Sequence, residues 1–189
     1  MEKINVTIWT SSHGKGDFRK KIKEVFKNSK FEPIVKAKGG LWMSFNLAKA
    51  ILKDMELKRR PQIHIIILGD NNLRGERMEK EDVMKIFRFF IARARKIPKS
   101  RVILSSLIPS VEYNEKNNEI FNNFDEELAK ILDKKYEYLN LRKSMRSKTG
   151  EIKEKLFKSD GVHLNEDGND VLSKQIYNKV DRMPLKFFE

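Results

Sequence analysis

Asp160 and His163 lie three residues apart in the run Asp160-Gly161-Val162-His163-Leu164-Asn165, just ahead of a helix-forming stretch. On a loop, that spacing lets both side chains face one site, with the carboxylate orienting the imidazole as a base. Such a base calls for a hydroxyl, and Ser12 offers one close behind an alternating apolar run. A serine hydroxyl is a weak nucleophile until an imidazole takes its proton during attack on a carbonyl. Gly40 permits close backbone approach, and the Asn71 side-chain amide is a donor. With the Ser12 backbone amide, these two could hold the oxyanion of a tetrahedral intermediate, so the chemistry indicated is acyl transfer. The same residues have plainer uses: Ser12 as a loop or cap residue, His163 as a histidine beside a helix start, and Gly39-Gly40 and Asn71-Asn72 as turn formers. Their order along the chain favours the chemical reading. His13 could touch substrate or act as an alternative base, but no carboxylate signal accompanies it. His64, inside an apolar run, reads as an interior histidine, and the 3 histidines lack the spacing of zinc ligands.

These segments can meet only if the intervening elements bring them together. Lys3 to Trp9 alternates as a strand and ends in the loop Thr10-Ser11-Ser12-His13. Phe18, Ile22, Val25 and Phe26 then recur at helical spacing. Phe31 to Val35 reads as a second strand, and Pro33, which cannot donate to a ladder, makes it either an edge strand or one that begins after Pro33. A helix is expected from about Met43 to Met55. Ile63 to Leu68 is a near-continuous β-branched run, the mark of a central strand covered on both faces. Val83 to Ala94 keeps a helical period within Glu79 to Lys96. A strand follows at Val102 to Leu104, then a helix over Asn118 to Leu132, a strand over Tyr136 to Leu139, and a last helix from Asn165, its N-cap, to Val180. Arg142 to Ser159, polar and poorly periodic, reads as a long mobile excursion. This alternation predicts a three-layer α/β/α sandwich with a five-stranded parallel sheet, one domain over 1–189. In such sheets ligands bind beyond the carboxyl ends of the strands, where the four candidate loops fall.

In that order, the residues resemble the SGNH or GDSL-type hydrolases, esterases whose four blocks supply Ser, Gly, Asn and His. The Gly-Asp-Ser block is similar to Thr10-Ser11-Ser12, the glycine block to Gly39-Gly40, the Gly-x-Asn-Asp block to Gly69-Asp70-Asn71-Asn72, and the Asp-x-x-His block to Asp160 through His163. The resemblance spans nearly the whole chain and implies the flavodoxin-like arrangement of that family. It also implies a serine esterase acting on a small acyl ester, with Ser12 as nucleophile, His163 as base, Asp160 as its orienter, Ser12, Gly40 and Asn71 around the oxyanion, and no metal or organic cofactor. Thr10 and Ser11 depart from the first block by replacing its glycine and aspartate. Ser11-Ser12-His13 also resembles the Asp-Ser-His form of esterase-like domains encoded by some retrotransposons. The Oskar-like branch supplies a non-enzymatic, RNA-binding alternative.

The whole composition bounds these readings. With 189 residues, 39% hydrophobic and 35% charged, the chain can bury a sizeable core, and disorder is excluded. Zero cysteines exclude disulfides, thiolate metal sites and a cysteine nucleophile. With no apolar run long enough for a membrane span and no signal-like N-terminus, the expectation is a soluble, intracellular, cytoplasmic protein. Forty Lys and Arg against 27 Asp and Glu leave a net charge of +13, which favours attraction to polyanions such as RNA or DNA. Arg59, Arg60, Arg93, Arg95, Lys96, Arg142, Lys143 and Arg146 are the candidates for that contact, with a solvated helix face as the alternative.

Overall fold

The computed structural model describes residues 3–58, 60–74, 77–113 and 115–184. Five strands, β1 (Ile4–Thr10), β2 (Phe31–Ala37), β3 (Gln62–Ile67), β4 (Ser100–Ser105) and β5 (Tyr138–Leu139), form one parallel sheet in the order β2-β1-β3-β4-β5. The helices are α1 (Asp17–Phe26), α2 (Phe45–Leu57), α3 (Asp70–Leu73), α4 (Lys80–Ala94), α5 (Glu115–Ile131), α6 (Leu141–Ser144) and α7 (Glu166–Asp181). The expected three-layer arrangement is the one observed.

Pro33 lies inside β2, paired in register with Val6 of β1. Because β2 is an edge strand, the missing N–H of Pro33 leaves no inner ladder unpaired.

β3 is buried along its whole length, and its alternating side chains feed two cores. Ile63, Ile65 and Ile67 pack with Val6, Ile8, Phe18, Ile22 and Ile176 in the layer of α1 and α7. Ile66 and Leu68 pack with Ile51, Met55, Phe87, Phe90 and Phe124 in the layer of α2, α4 and α5. His64 points into the second layer, where the Trp9 indole Nε1 donates to its Nδ1 at 3.1 Å and its Nε2 lies 2.8 Å from Gln62 Oε1. The tautomer is thereby set, with the proton on Nε2. Burial foremost, then the charge of Lys58, pushes the His64 pKa down to about 3.

The stretch from Arg142 to Ser159, expected as a mobile excursion, is ordered. It continues α6, closes a turn by the bridge between Arg146 and Ile152, forms a 3-10 turn at Glu154–Leu156 and pairs Phe157 with Leu164. Leu141, Met145, Leu156 and Phe157 are buried against the α7 layer. These anchors follow neither period 2 nor period 3.6, so their role is invisible to a periodicity argument.

Candidate active site

The strand order reverses between β1 and β3, so the loops after these two strands diverge to opposite faces and leave a crevice at their carboxyl ends. Ser12 opens a 3-10 turn, Ser12–Gly14, at the end of β1. The turn is possible because Gly14 has no side chain: a Cβ there would stand 2.0 Å from Thr10 Cγ2 and 2.8 Å from Ala37 Cβ. Thr10 and Ser11, the two departures from the first family block, turn hydroxyls into the interior, where neither has a hydrogen-bond partner.

The Asp160–His163 loop is fixed by its own hydrogen bonds. Lys158 N donates to the His163 carbonyl at 2.7 Å, and Gly161 N donates to the Lys158 carbonyl at 2.9 Å. Gly161 takes a φ of 63°, where a Cβ would also press to 3.1 Å from the Glu112 amide nitrogen. Asn165 caps α7 by accepting from Gly168 N at 3.0 Å, and its amide holds the carbonyls of Lys155 and Phe157. Within this frame Asp160 Oδ1 accepts from the backbone amides of Val162 and His163, both at 2.9 Å, while Oδ2 lies 2.7 Å from His163 Nδ1. The His163 backbone amide, then the His163 ring and the Val162 amide, hold the Asp160 carboxyl well below the usual carboxylate range. A carboxylate on Nδ1 places the ring proton there and leaves Nε2 as an acceptor.

Ser12, His13, Asp160 and His163 line one cleft of about 390 Å³, together with Lys15, Gly16, Asp17, Lys158, Leu164 and Asn169. Neither Gly40 nor Asn71 is among the residues that line it. Gly40 is exposed with a φ of 69°, and its neighbour Gly39 lies where a Cβ would meet Lys15 Nζ at 2.9 Å. Asn71, on α3, donates one amide N–H to the Leu41 carbonyl at 3.0 Å. The loop that follows Gly40 and α3 are thus tied together. An amide carries two N–H donors, so one remains after the bond to Leu41.

Two features escaped the sequence reading. His13, whose carboxylate partner was missing along the chain, has one in space: Asp70 Oδ2 is 3.7 Å from its Nε2, with both residues buried. Nothing in local spacing announces a pair contributed by loops after two different strands. Asn72, read as a turn former, is buried and clamps the loop between Gly40 and α2. Its Oδ1 accepts from Met43 N at 2.8 Å and its Nδ2 donates to the Met43 carbonyl at 2.7 Å. With Leu41 held by Asn71 and Met43 by Asn72, the exposed Trp42 between them is presented on a fixed loop.

The candidate nucleic-acid residues do not gather on one face. Arg59 lies outside the described residues. Arg60 is exposed. Arg93 and Lys96 border a cavity at the opposite end of the sheet, while Lys143 borders another beside β5. Arg95 Nε donates to Glu137 Oε1 at 2.9 Å and its Nη2 to the Ile131 carbonyl. Arg142 is buried, with Nε donating to Asp125 Oδ2 at 2.9 Å and Nη1 donating to Asn122 Oδ1. Arg146 Nη1 donates to the Gly150 carbonyl. Among the described residues, no helix is long and apolar enough to cross a membrane.

No protein-family model and no curated protein sequence matches the chain. Its fold, however, is shared with solved esterase structures. The acetyl xylan esterase AlAXEase is similar at a TM-score of 0.71 and 20% identity, over 94% of this chain and 100% of that one. A GDSL-like lipase from Bacteroides thetaiotaomicron gives 0.68 and 18%, over 94% and 88%. A carbohydrate esterase family 3 protein from Talaromyces cellulolyticus gives 0.71 and 14%, over 95% and 97%. At these identities the likeness is one of fold, an α/β architecture, with no particular branch singled out.

Proposed function

We propose that the protein is a serine esterase for small acyl esters, with Ser12, His163 and Asp160 as its triad. The observation that carries this reading is the shared cleft of Ser12 and His163, with His163 Nδ1 held on the Asp160 carboxylate and Nε2 left to accept a proton. Ser12 Oγ attacks the ester carbonyl carbon as its proton passes to His163 Nε2. The carbonyl π pair moves to oxygen, and the oxyanion is met by the Ser12 and Gly40 backbone amides and the second N–H of Asn71. Collapse expels the alcohol, which takes the proton from His163 and leaves acyl-Ser12. Water, deprotonated by the same nitrogen, then attacks the acyl-enzyme, and the carboxylic acid departs as Ser12 recovers its proton.

The lining of the cleft speaks to the substrate. Among the described residues lining it, Leu164 is the one large apolar side chain, beside Lys15, Asp17, Lys158 and Asn169. The charged and polar groups among these described lining residues suit a short acyl group on a polar alcohol. Fold likeness to an acetyl xylan esterase and to a carbohydrate esterase supports the same reading. No observation of the site favours the nucleic-acid reading over this one. Ser12→Ala should abolish hydrolysis of a short-chain p-nitrophenyl ester and His163→Ala should lower it by about 10²-fold or more, while the circular dichroism spectrum is retained. Undiminished turnover in folded mutants contradicts the proposal.

A further inference from the structure

A cavity of about 620 Å³ lies at the other end of the sheet, where β3 and β4 begin. Ile97 and Pro98 give it an apolar floor over the fully buried Met55, and Lys58, Arg93, Lys96 and Lys99 surround that floor, with Glu56 as the one carboxylate among the described lining residues. Its walls are the last turn of α2, the end of α4 and the turn into β4.

One buried side chain holds these walls together. Gln62 Nε2 donates to the carbonyls of Met55 at 2.7 Å and Lys58 at 2.9 Å, and the Gln62 backbone amide donates to the Lys99 carbonyl at 3.0 Å. Lys99 meets that last bond in the left-handed region, at a φ of 57°, where a residue with a Cβ is disfavoured. A non-glycine residue held in this conformation is a feature from which function can be sought.

The ordinary explanation of such cations is that they complement the negative ends of two helix dipoles. It serves for Lys58, the C-cap of α2, which also pairs with Asp54, and for Arg93 in the last turn of α4, stacked over Phe89. It does not serve for Lys99, which lies in the turn beyond α4. Among the described residues, neither Lys96 nor Lys99 has a carboxylate partner. The volume is that of a small-molecule site, and an apolar floor under unpaired ammonium groups suits a ligand with matching halves.

We propose that this cavity binds a small amphiphilic anion, an apolar body carrying one phosphate or carboxylate head. The body lies on Ile97 and Pro98, and the head is met by Lys96 and Lys99. The site is separate from the Ser12 cleft and independent of the esterase reading.

The test is titration of the full chain with octyl phosphate, octanol, octyltrimethylammonium and inorganic phosphate, followed by calorimetry and amide NMR shifts. Octyl phosphate should bind at least ten times more tightly than any of the other three, with shifts centred on 55–58 and 93–99. Lys96→Gln/Lys99→Gln should weaken it at least tenfold with the fold and any ester hydrolysis unchanged. Equal binding of the cationic amphiphile, shifts centred on Ser12 and His163, undiminished binding by the double mutant, or no binding at millimolar octyl phosphate each overturns the proposal. Because Lys99→Gly relieves the left-handed strain, it guards against misfolding: it should be no less stable than the wild type and still bind more weakly.

Discussion

The rings of His13 and His163 stand 5.9 Å apart, centroid to centroid, at the same cleft, but only His163 is hydrogen-bonded to a carboxylate. His13 Nδ1 is buried without a partner, and its Nε2 faces Asp70 at 3.7 Å, beyond hydrogen-bond distance. The two imidazoles are therefore not interchangeable as bases. His163→Ala should lower kcat/KM for a short-chain ester by about 10²- to 10⁴-fold, whereas His13→Asn should stay within about tenfold. Steady-state kinetics on the two variants check this, and the reverse ranking makes His13 the base.

His64 sets an acid limit to stability. Its folded pKa of about 3 lies below the ordinary value of 6.5 because the imidazole is buried. Between those values the unfolded chain binds a proton that the folded chain refuses, so stability rises with pH there and is lost as pH falls. Each pH unit in that window costs up to about 1.4 kcal/mol, and above pH 6.5 the effect vanishes. Urea unfolding at a series of pH values should show this slope in the wild type and a flatter one in His64→Gln.

Asn72 acts on the Gly40 loop, the proposed oxyanion loop, and is not among the residues lining the cleft. Asn72→Ala would strand both the N–H and the carbonyl of Met43, which is wholly buried, at about 1–3 kcal/mol for each. Thermal melting should show the loss, and esterase activity should fall with it because the Gly40 loop is released. Asn71→Ala frees only the Leu41 carbonyl and should cost kcat more than stability.

The readability of the sequence followed the periodicity of its elements. β3, with its near-continuous apolar run, and α4 and α7, with their apolar stripes, are legible because burial imposes a pattern on them. Pro33 left two choices, which only the strand order resolves in favour of an edge strand. The segment through Met145, Leu156 and Phe157 was illegible, since its anchors are set by docking on α7. Asp160 and His163 were legible as neighbours along the chain, whereas the approach of Asp70 to His13 depends on the reversal of strand order. Arg142 misled for the opposite reason: one of a run of basic residues, it is folded inward.

Arg142 and Asp125 form a buried pair, in which burial pushes the Asp125 carboxyl up while Arg142 and the Leu107 amide pull it down. Removing the cation alone leaves a buried carboxylate. Arg142→Met should destabilise the fold by about 3–5 kcal/mol, and Asp125→Leu/Arg142→Met should recover much of that loss. Chemical unfolding of the single and double variants separates this structural role from surface charge.

Reaction with a fluorophosphonate probe, followed by mass mapping of the modified serine, tests most directly whether the hydroxyl after β1 is an activated nucleophile. The expected result is one label, on Ser12, absent from Ser12→Ala and slowed by about 10²-fold or more in His163→Ala. A label on Ser11, or a folded protein that takes no label at all, contradicts it.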